Sequence, residues 1–340
     1  MSAIEGTGKP SLSTEAEIIS KFLEPLTLGK DWAHGLRDDA ACITPRAGHD
    51  LVLTKDALVG GVHFFADDDP RDIALKALGV NVSDLVAKAA NPVAYLMALA
   101  LPGDPLDGWL ERFCSGFADA QSRWGGALIG GDLVATPGPL TISITAIGEV
   151  ASGRMVERGA GRPGDKVYVT GTIGDAALGL VLRRAPGSAL AQNLDQDARE
   201  FLLDRYLRPD PPIGLIDVLR EHASAALDVS DGLAIDFARM CAGADCGGRI
   251  AVADIPLSDA VRACVASQRV DLEGLISGGD DYEVLAAVPS NRSAAFEAAA
   301  SSAGVALTCI GELAPADEGV AFIAADGAKL DLGRGGYDHF

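Results

Sequence analysis

Basic residues are scarce in this chain: 28 Lys and Arg stand against 48 Asp and Glu, a formal net charge of −20. Nucleic acids and anionic membrane surfaces are held by basic patches, so neither is an expected partner. Long apolar runs are missing too. Although 48 % of the residues are hydrophobic, no run reaches the roughly 20 residues of a membrane-spanning helix. The opening M-S-A-I-E-G-T-G-K-P-S has no basic stretch followed by an apolar block. No signal peptide is therefore expected, and the cytoplasm is the expected location. Six cysteines, at 42, 114, 241, 246, 264 and 309, include no C-x-x-C pair, which argues against a disulfide framework. No cluster has the ligand types or spacing of a zinc site. The five histidines are scattered, and none reads as a convincing general base. Internal repeats and low-complexity tracts are absent.

What the chain does have is acid at the ends of its elements. At 340 residues it can bury cores for two domains of roughly 150 residues each. Alternating apolar and polar residues from Asp50 predict a strand that ends in Thr54, Lys55 and Asp56. Gly60-Gly61 marks a turn, and a second short strand at 61–64 carries His63. A helix over about 71–89 covers a buried face, but Asn81, Ser83 and Asp84 interrupt its apolar run. Polar groups in a buried helix must be satisfied by something, and for a lone residue a hydrogen-bonded core Asp is the simpler answer. Asp84 is not alone. Asp38-Asp39 precede an apolar segment, A-L-I-G-G-D ends at Asp132, and A-L-D-V-S-D-G runs through Asp228, Ser230 and Asp231. I-S-G-G-D-D-Y-E then delivers Asp280, Asp281 and Glu283. Carboxylates gathered in this way suit hard divalent cations such as magnesium or calcium.

Taken in order, Thr14–Leu26 reads as a capped helix. Val93–Leu101 is an apolar strand fit for a sheet interior or a subunit interface. A helix at 105–123, a strand to Asp132 and another over Leu140–Val150 complete a first domain, 13–150. The glycine-rich basic stretch 153–164 marks the boundary, and a second domain, 151–340, opens with the strand Lys166–Thr170. Gly171–Asp175 turns into a helix as phosphate-holding turns do, but it matches neither standard glycine motif. A polar helical excursion at 184–212 is followed by alternating helices and strands to about 324, with Ser290–Ala303 the clearest late helix. The tail Gly335–Phe340 reads equally as a frayed end or as a flap over a pocket.

Seven segments fall in a fixed order: T-K-D-A-L-V-G-G-V-H-F, K-A-L-G-V-N-V-S-D-L, I-G-G-D, R-P-G-D-K-V-Y-V-T-G-T-I-G-D, D-V-S-D-G-L, S-G-G-D-D-Y-E and G-Y-D-H-F. Together, from about residue 15 to 340, they resemble the thiamine-monophosphate kinase family, within the superfamily of aminoimidazole ribonucleotide synthetase. The resemblance implies an α/β fold with mixed sheets in two domains. The N-terminal domain would bind ATP and magnesium and form a β-barrel across a homodimer; the C-terminal domain would be α/β. The implied reaction is ATP-dependent phosphorylation of thiamine phosphate to thiamine diphosphate, with several Mg2+ ions and ATP as co-substrate. The implied metal ligands are Asp39, Thr54, Asp56, Asp84, Asp132, Asp228 and Asp231. Gly131, Asp132, Arg158 and Ser230 are implied ATP contacts, and His63, Asp280 and Tyr337 implied thiamine-phosphate contacts. Three positions depart from the family pattern: Arg37 replaces Gly, Asp280 replaces Glu, and Lys55 replaces a hydroxyl residue. Lys55 reads either as a solvated side chain or as an added cation over the ATP phosphates.

The residues agree with that chemistry on their own terms. A phosphate monoester has a second pKa near ~6, so its oxygen is already a nucleophile at neutral pH and no base is needed. The requirement is relief of repulsion between two charged phosphates held in line, which carboxylate-bound cations supply. Other readings are a different ATP-dependent synthetase of the superfamily, a carboxylate-based magnesium phosphohydrolase, or an acidic binding module. A selenophosphate synthetase would want a reactive cysteine near the N-terminus, whereas the first here, Cys42, follows the first acid pair.

Overall fold

The computed structural model describes residues 14–103, 107–267, 269–330, 332 and 336. Thr14 caps α1 (Glu15–Ile18), its hydroxyl accepting from the Glu17 amide while the Glu17 carboxylate accepts from the Thr14 amide. The helical run continues in π and 3-10 turns to Thr27. β1 (His49–Val59), α2 (Pro70–Ala87), β2 (Asn91–Pro102), α3 (Asp107–Trp124), β3 (Ala127–Thr136) and β4 (Thr141–Ala151) follow. Their strands form one sheet in the order β1-β4-β2-β3, with only the β2–β3 pair parallel.

β5 (Lys166–Thr170), α4 (Asp175–Arg184), α5 (Ala189–Asn193), α6 (Gln196–Leu207), α7 (Ile216–His222), β6 (Ala225–Val229) and α8 (Leu233–Gly243) come next. β7 (Gly247–Ala251), β8 (Glu283–Val288), β9 (Leu307–Ala314) and β10 (Val320–Ile323) complete a second sheet, ordered β10-β7-β9-β5-β8-β6. Only its β10–β7 pair is parallel. Mixed sheets with helices on them fit the expected fold class. The late helical stretch is a 3-10 turn followed by Ser293–Ser302.

α2 lies between the two sheets. It packs on β1 and β4 on one side and on β6 and β8 on the other, with α3 and α6 beside it. A helix apolar all round must be enclosed, and almost every residue from Ile73 to Ala87 is buried. The side chains of Val52, Leu58, Ile142, Ile144, Ala146, Met97 and Leu99 meet it from the first sheet.

One expected strand does not form. β1 runs on through Val59, and residues 61–63 are a turn closed by an isolated bridge from Gly60 to Phe64. β2 is the third strand of its sheet, yet it is covered on one face only: Leu96 and Ala98 are exposed. Part of that outer face is covered by the segment around Trp32, Ala41 and Ile43, which packs on Ala94, Ala127, Ile129 and Ile147. The rest is open, with Leu53 62 %, Leu96 36 % and Val134 45 % exposed. Arg37 needs no glycine-like backbone. The left-handed turn falls on His34, Gly35 and Leu36, and Arg37 sits at φ −112° with its guanidinium on Glu24 at 3.0 Å.

Candidate active site

Asn81, Asp84 and Lys76 of α2 each find a separate partner. Asn81 donates to the Ala77 carbonyl at 2.9 Å and accepts from the Asp56 amide at 3.0 Å, fixing the end of β1 against the helix. Asp84 accepts from the Thr54 hydroxyl. Lys76 donates to Asp280 at 3.0 Å. Thr54 and Asp56 therefore lie on the face of β1 that meets α2. The β1–β4 register is unbroken, so Lys55 lies on the opposite, exposed face.

β6 brings up the next acid. Asp228 is buried one residue before the end of β6, and burial pushes its carboxyl well above the usual range, with further push from Asp84, Asp236 and Asp56. The Ser83 hydroxyl opposes the shift. Asp56 is pushed up to about 6, first by burial and then by Asp84 and Asp231. Ionising all these acids together is costly unless positive charge arrives. After β6 the chain turns through Ser230 and Asp231, whose amides both donate to Asp236 at 3.1 and 3.0 Å. Arg239 closes this turn by pairing with Asp231 and with Asp236.

The loop before β8 lies against that turn. Asp280 and Tyr282 donate their amides to the Ser230 and Val229 carbonyls, each at 2.8 Å. Gly279 permits the approach: a Cβ there would stand 2.4 Å from the Ser230 carbonyl oxygen. Asp280 adopts φ 73° and Tyr282 φ 51°, left-handed conformations that cost non-glycine residues energy. Gly336 lies against Ile235 and the Asp231 carbonyl, beside the same turn. Tyr337 falls outside the described residues.

A cavity of about 440 Å³ opens between the end of α2, the segment 155–158, β6 and α8, lined by Asp84, Lys88, Arg158, Asp228, Ser230 and Arg239 among others. Lys88 donates to the Ala226 carbonyl at 2.7 Å, and burial lowers its pKa while Asp228 and Asp84 oppose the shift. Sequence reasoning missed Lys88, Asp236, Arg239 and Lys76. Each lies inside a helix or at its end; Asp236 and Arg239 pair with each other within α8, and the remaining partners come from outside the helix concerned.

Not every expected residue joins this group. Asp39 is exposed in the segment after Leu36, with its amide on Asp38 at 2.8 Å. Gly131 and Asp132 lie on β3, at the sheet edge opposite β1. Three strand spacings, about 14 Å, separate those edges. Asp132 is exposed beside Val134, while Leu133 between them packs inward. His63, in the turn after β1, accepts at Nδ1 from the Val59 amide at 3.0 Å. The Gly171–Asp175 turn is filled by protein: the amides of Gly174 and Ala176 donate to the buried Asp281 carboxylate. Among the described residues, no three His, Cys, Asp or Glu side chains stand close enough to cage an ion.

Comparison with known proteins bears on the whole chain. Residues 37–150 match the family model of the AIR synthase related protein, N-terminal domain. Residues 162–324 match that of the AIR synthase related protein, C-terminal domain. The thiamine-monophosphate kinase of Caulobacter vibrioides is 42 % identical over 302 residues, covering 88 % of this chain and 84 % of its own. The crystal structure of thiamine-monophosphate kinase from Stenotrophomonas maltophilia superposes with a TM-score of 0.81 at 36 % identity, covering 92 % of this chain and 97 % of that one. AaThiL complexed with AMPPCP and TMP superposes with a TM-score of 0.76 at 30 % identity, covering 87 % and 89 %. By identity, coverage and fold, the chain belongs to the thiamine-monophosphate kinase family.

Proposed function

We infer that this protein transfers the γ-phosphoryl group of ATP to thiamine phosphate, giving thiamine diphosphate and ADP. The observation that carries the reading is the convergence of Asp56, Asp84 and Asp228 beside a cavity that also holds Arg158 and Lys88, in a chain of this family. A relative of the same fold is known with an ATP analogue and TMP together.

The donor set fits magnesium. Hard oxygens converge, and burial, reinforced by their mutual repulsion, holds Asp56 and Asp228 above the usual carboxylate range. The lack of a three-ligand cage is compatible with that ion, which keeps waters and is held by one or two carboxylates together with substrate phosphates. Asp56, Asp84, Asp228 and Asp231 would share several such ions, one or two carboxylates to each, with Thr54 fixing Asp84. When bound, magnesium supplies charge neutralisation along the phosphate chain. Arg158, Lys88 and the Ser230 turn bind and orient the nucleotide. An oxygen of the acceptor phosphate forms the new bond to the γ-phosphorus as the bond to the β–γ bridging oxygen breaks, and ADP leaves. That oxygen carries no proton to be removed, so no residue is needed as base.

The same reading divides the chain near residue 151 into two domains and places the protein in the cytoplasm as a homodimer. The open outer face of the first sheet, with Leu53, Leu96 and Val134, supports the dimer. A second copy closing that face would make Lys55 and Asp132 interface residues, available to the partner's site. No helix among the described residues is long and apolar enough to cross a membrane.

Parallel assays with thiamine phosphate, with thiamine and with no acceptor test the activity. Thiamine diphosphate should form only in the first, because the thiamine hydroxyl is uncharged and stays protonated. Equal phosphate release without an acceptor would make the protein a phosphohydrolase.

A further inference from the structure

We propose that Lys76 is a positioning residue of the acceptor subsite, holding and neutralising the Asp280 carboxylate so that a phosphate-bearing acceptor meets an ion pair rather than a free negative charge. This deepens the kinase reading and rests on it.

The ammonium group is buried in the middle of the molecule, where a charge must be compensated. The Lys76 side chain is 3 % exposed. It meets the Asp280 carboxylate at 3.0 Å and stands 3.8 Å from the centroid of the Tyr206 ring, a cation–π contact. The Tyr206 ring is set by Phe65, edge-on at 6.3 Å. Arg183 covers Phe65 at 4.4 Å and pairs with Asp68 at 2.9 Å. The loop that follows His63 is thus fastened to the same point as Lys76.

In the neighbouring Arg205–Glu283 pair the side chains are only 15 % and 8 % exposed. Here Asp280 keeps 30 % of its side chain exposed, and only Oδ2 is bonded; Oδ1 makes no hydrogen bond among the described residues. Its backbone is held at φ 73°, an observed strain of the sort kept where a side chain must be aimed. Its amide is anchored to Ser230, at the nucleotide end of the site. Tyr282 senses Asp280 together with Asp56, Asp228 and Asp231, so Asp280 belongs to the edge of the same acidic group. Along α2, Lys76 precedes Asp84 by eight residues, or about 12 Å of helix axis. One helix therefore carries Asp84 at the nucleotide end and Lys76 at the acceptor end.

The test uses wild type, K76M, D280N and the double variant, with KM and kcat for each substrate. K76M leaves Asp280 unneutralised and should raise KM for thiamine phosphate roughly tenfold or more, with KM for ATP within about twofold of wild type. In the D280N background the same change should add nothing: D280N and K76M/D280N should agree within about twofold. The double variant retains no lone buried charge, and in D280N the Lys76 ammonium keeps the Tyr206 ring and gains a neutral amide oxygen as partners, so this comparison stands even if K76M fails to fold. A further tenfold loss from D280N to the double variant, or an equal rise in both KM values, would overturn the proposal. Wild type that forms no thiamine diphosphate would instead sink the kinase reading.

Discussion

Asp84 sits in a helix enclosed on all sides, hydrogen-bonded by Thr54 and within electrostatic reach of Asp56 and Asp228. Asp84→Asn keeps the shape and the Thr54 contact but removes the charge. Turnover should fall on the order of 100-fold at limiting magnesium while the melting temperature holds or rises, since a source of repulsion is gone. Near wild-type turnover would make Asp84 a core residue and nothing more. The titration of Asp56 has a definite sign. Its pKa is raised from 3.8 to about 6 in the folded protein, so the native state holds this proton more tightly than the unfolded chain. Its contribution to stability is present below pH 3.8 and lost as pH rises through about 6. Magnesium binds the ionised form, so its stabilising effect should be greater by about 2–4 °C in melting temperature at about pH 7.5 than at about pH 5. An equal effect at both would remove Asp56 from the metal set. These acids were legible because each breaks an apolar pattern. Lys76 and Arg239 were not. A Lys or Arg inside a helix reads as solvent-facing, and the partner of Lys76 lies 204 residues away.

At the scale of elements, the sequence pattern placed α2, β2 and β5 closely, because each is a long or sharply bounded apolar run. The strand expected at 61–64 failed for a local reason. Gly61 takes φ 82°, and the amides of Val62 and His63 return to the Val59 carbonyl, so the segment turns instead of extending. The turn into α4 was read by its glycines. What decided its role was the buried carboxylate of Asp281, more than a hundred residues further on. Gly131, expected from the family resemblance to contact the nucleotide, is a packing residue. Its φ is 154°, and a Cβ there would stand 1.8 Å from the Met97 carbonyl oxygen on the neighbouring strand. Gly131→Ala should therefore lower stability by about 2 kcal/mol or more by forcing β3 off β2, besides any loss of nucleotide binding. An unchanged denaturation midpoint would leave Gly131 with a binding role alone.

At the scale of the whole molecule, a protein of charge −20 is assigned two phosphate-bearing substrates. The resolution lies in the pairing of acids with cations. Arg205 holds the buried Glu283 at 2.6 Å, Lys76 holds Asp280, and Arg239 is shared between Asp231 and Asp236. Asp56, Asp84 and Asp228 have no such cation partner among the described residues, and it is these acids that the proposed magnesium ions would neutralise. Which face of the first sheet lies open could not be read from β2, whose residues are apolar on both sides; the packing of α2 on the other face decides it, and residues 32–43 cover only part of the open one. Leu53→Glu with Val134→Glu should convert a dimer to a 34.9 kDa monomer by light scattering, and should depress activity if Asp132 serves a partner's site. A monomeric wild type would refute the dimer directly. In the proposed reaction the phosphoryl group passes straight from ATP to the acceptor phosphate, with no enzyme nucleophile between them. ATP made chiral at the γ-phosphorus with oxygen isotopes, turned over with thiamine phosphate, tests it in one measurement. Direct in-line transfer predicts inversion of configuration in the thiamine diphosphate formed; net retention would require a phosphoenzyme and contradict the account.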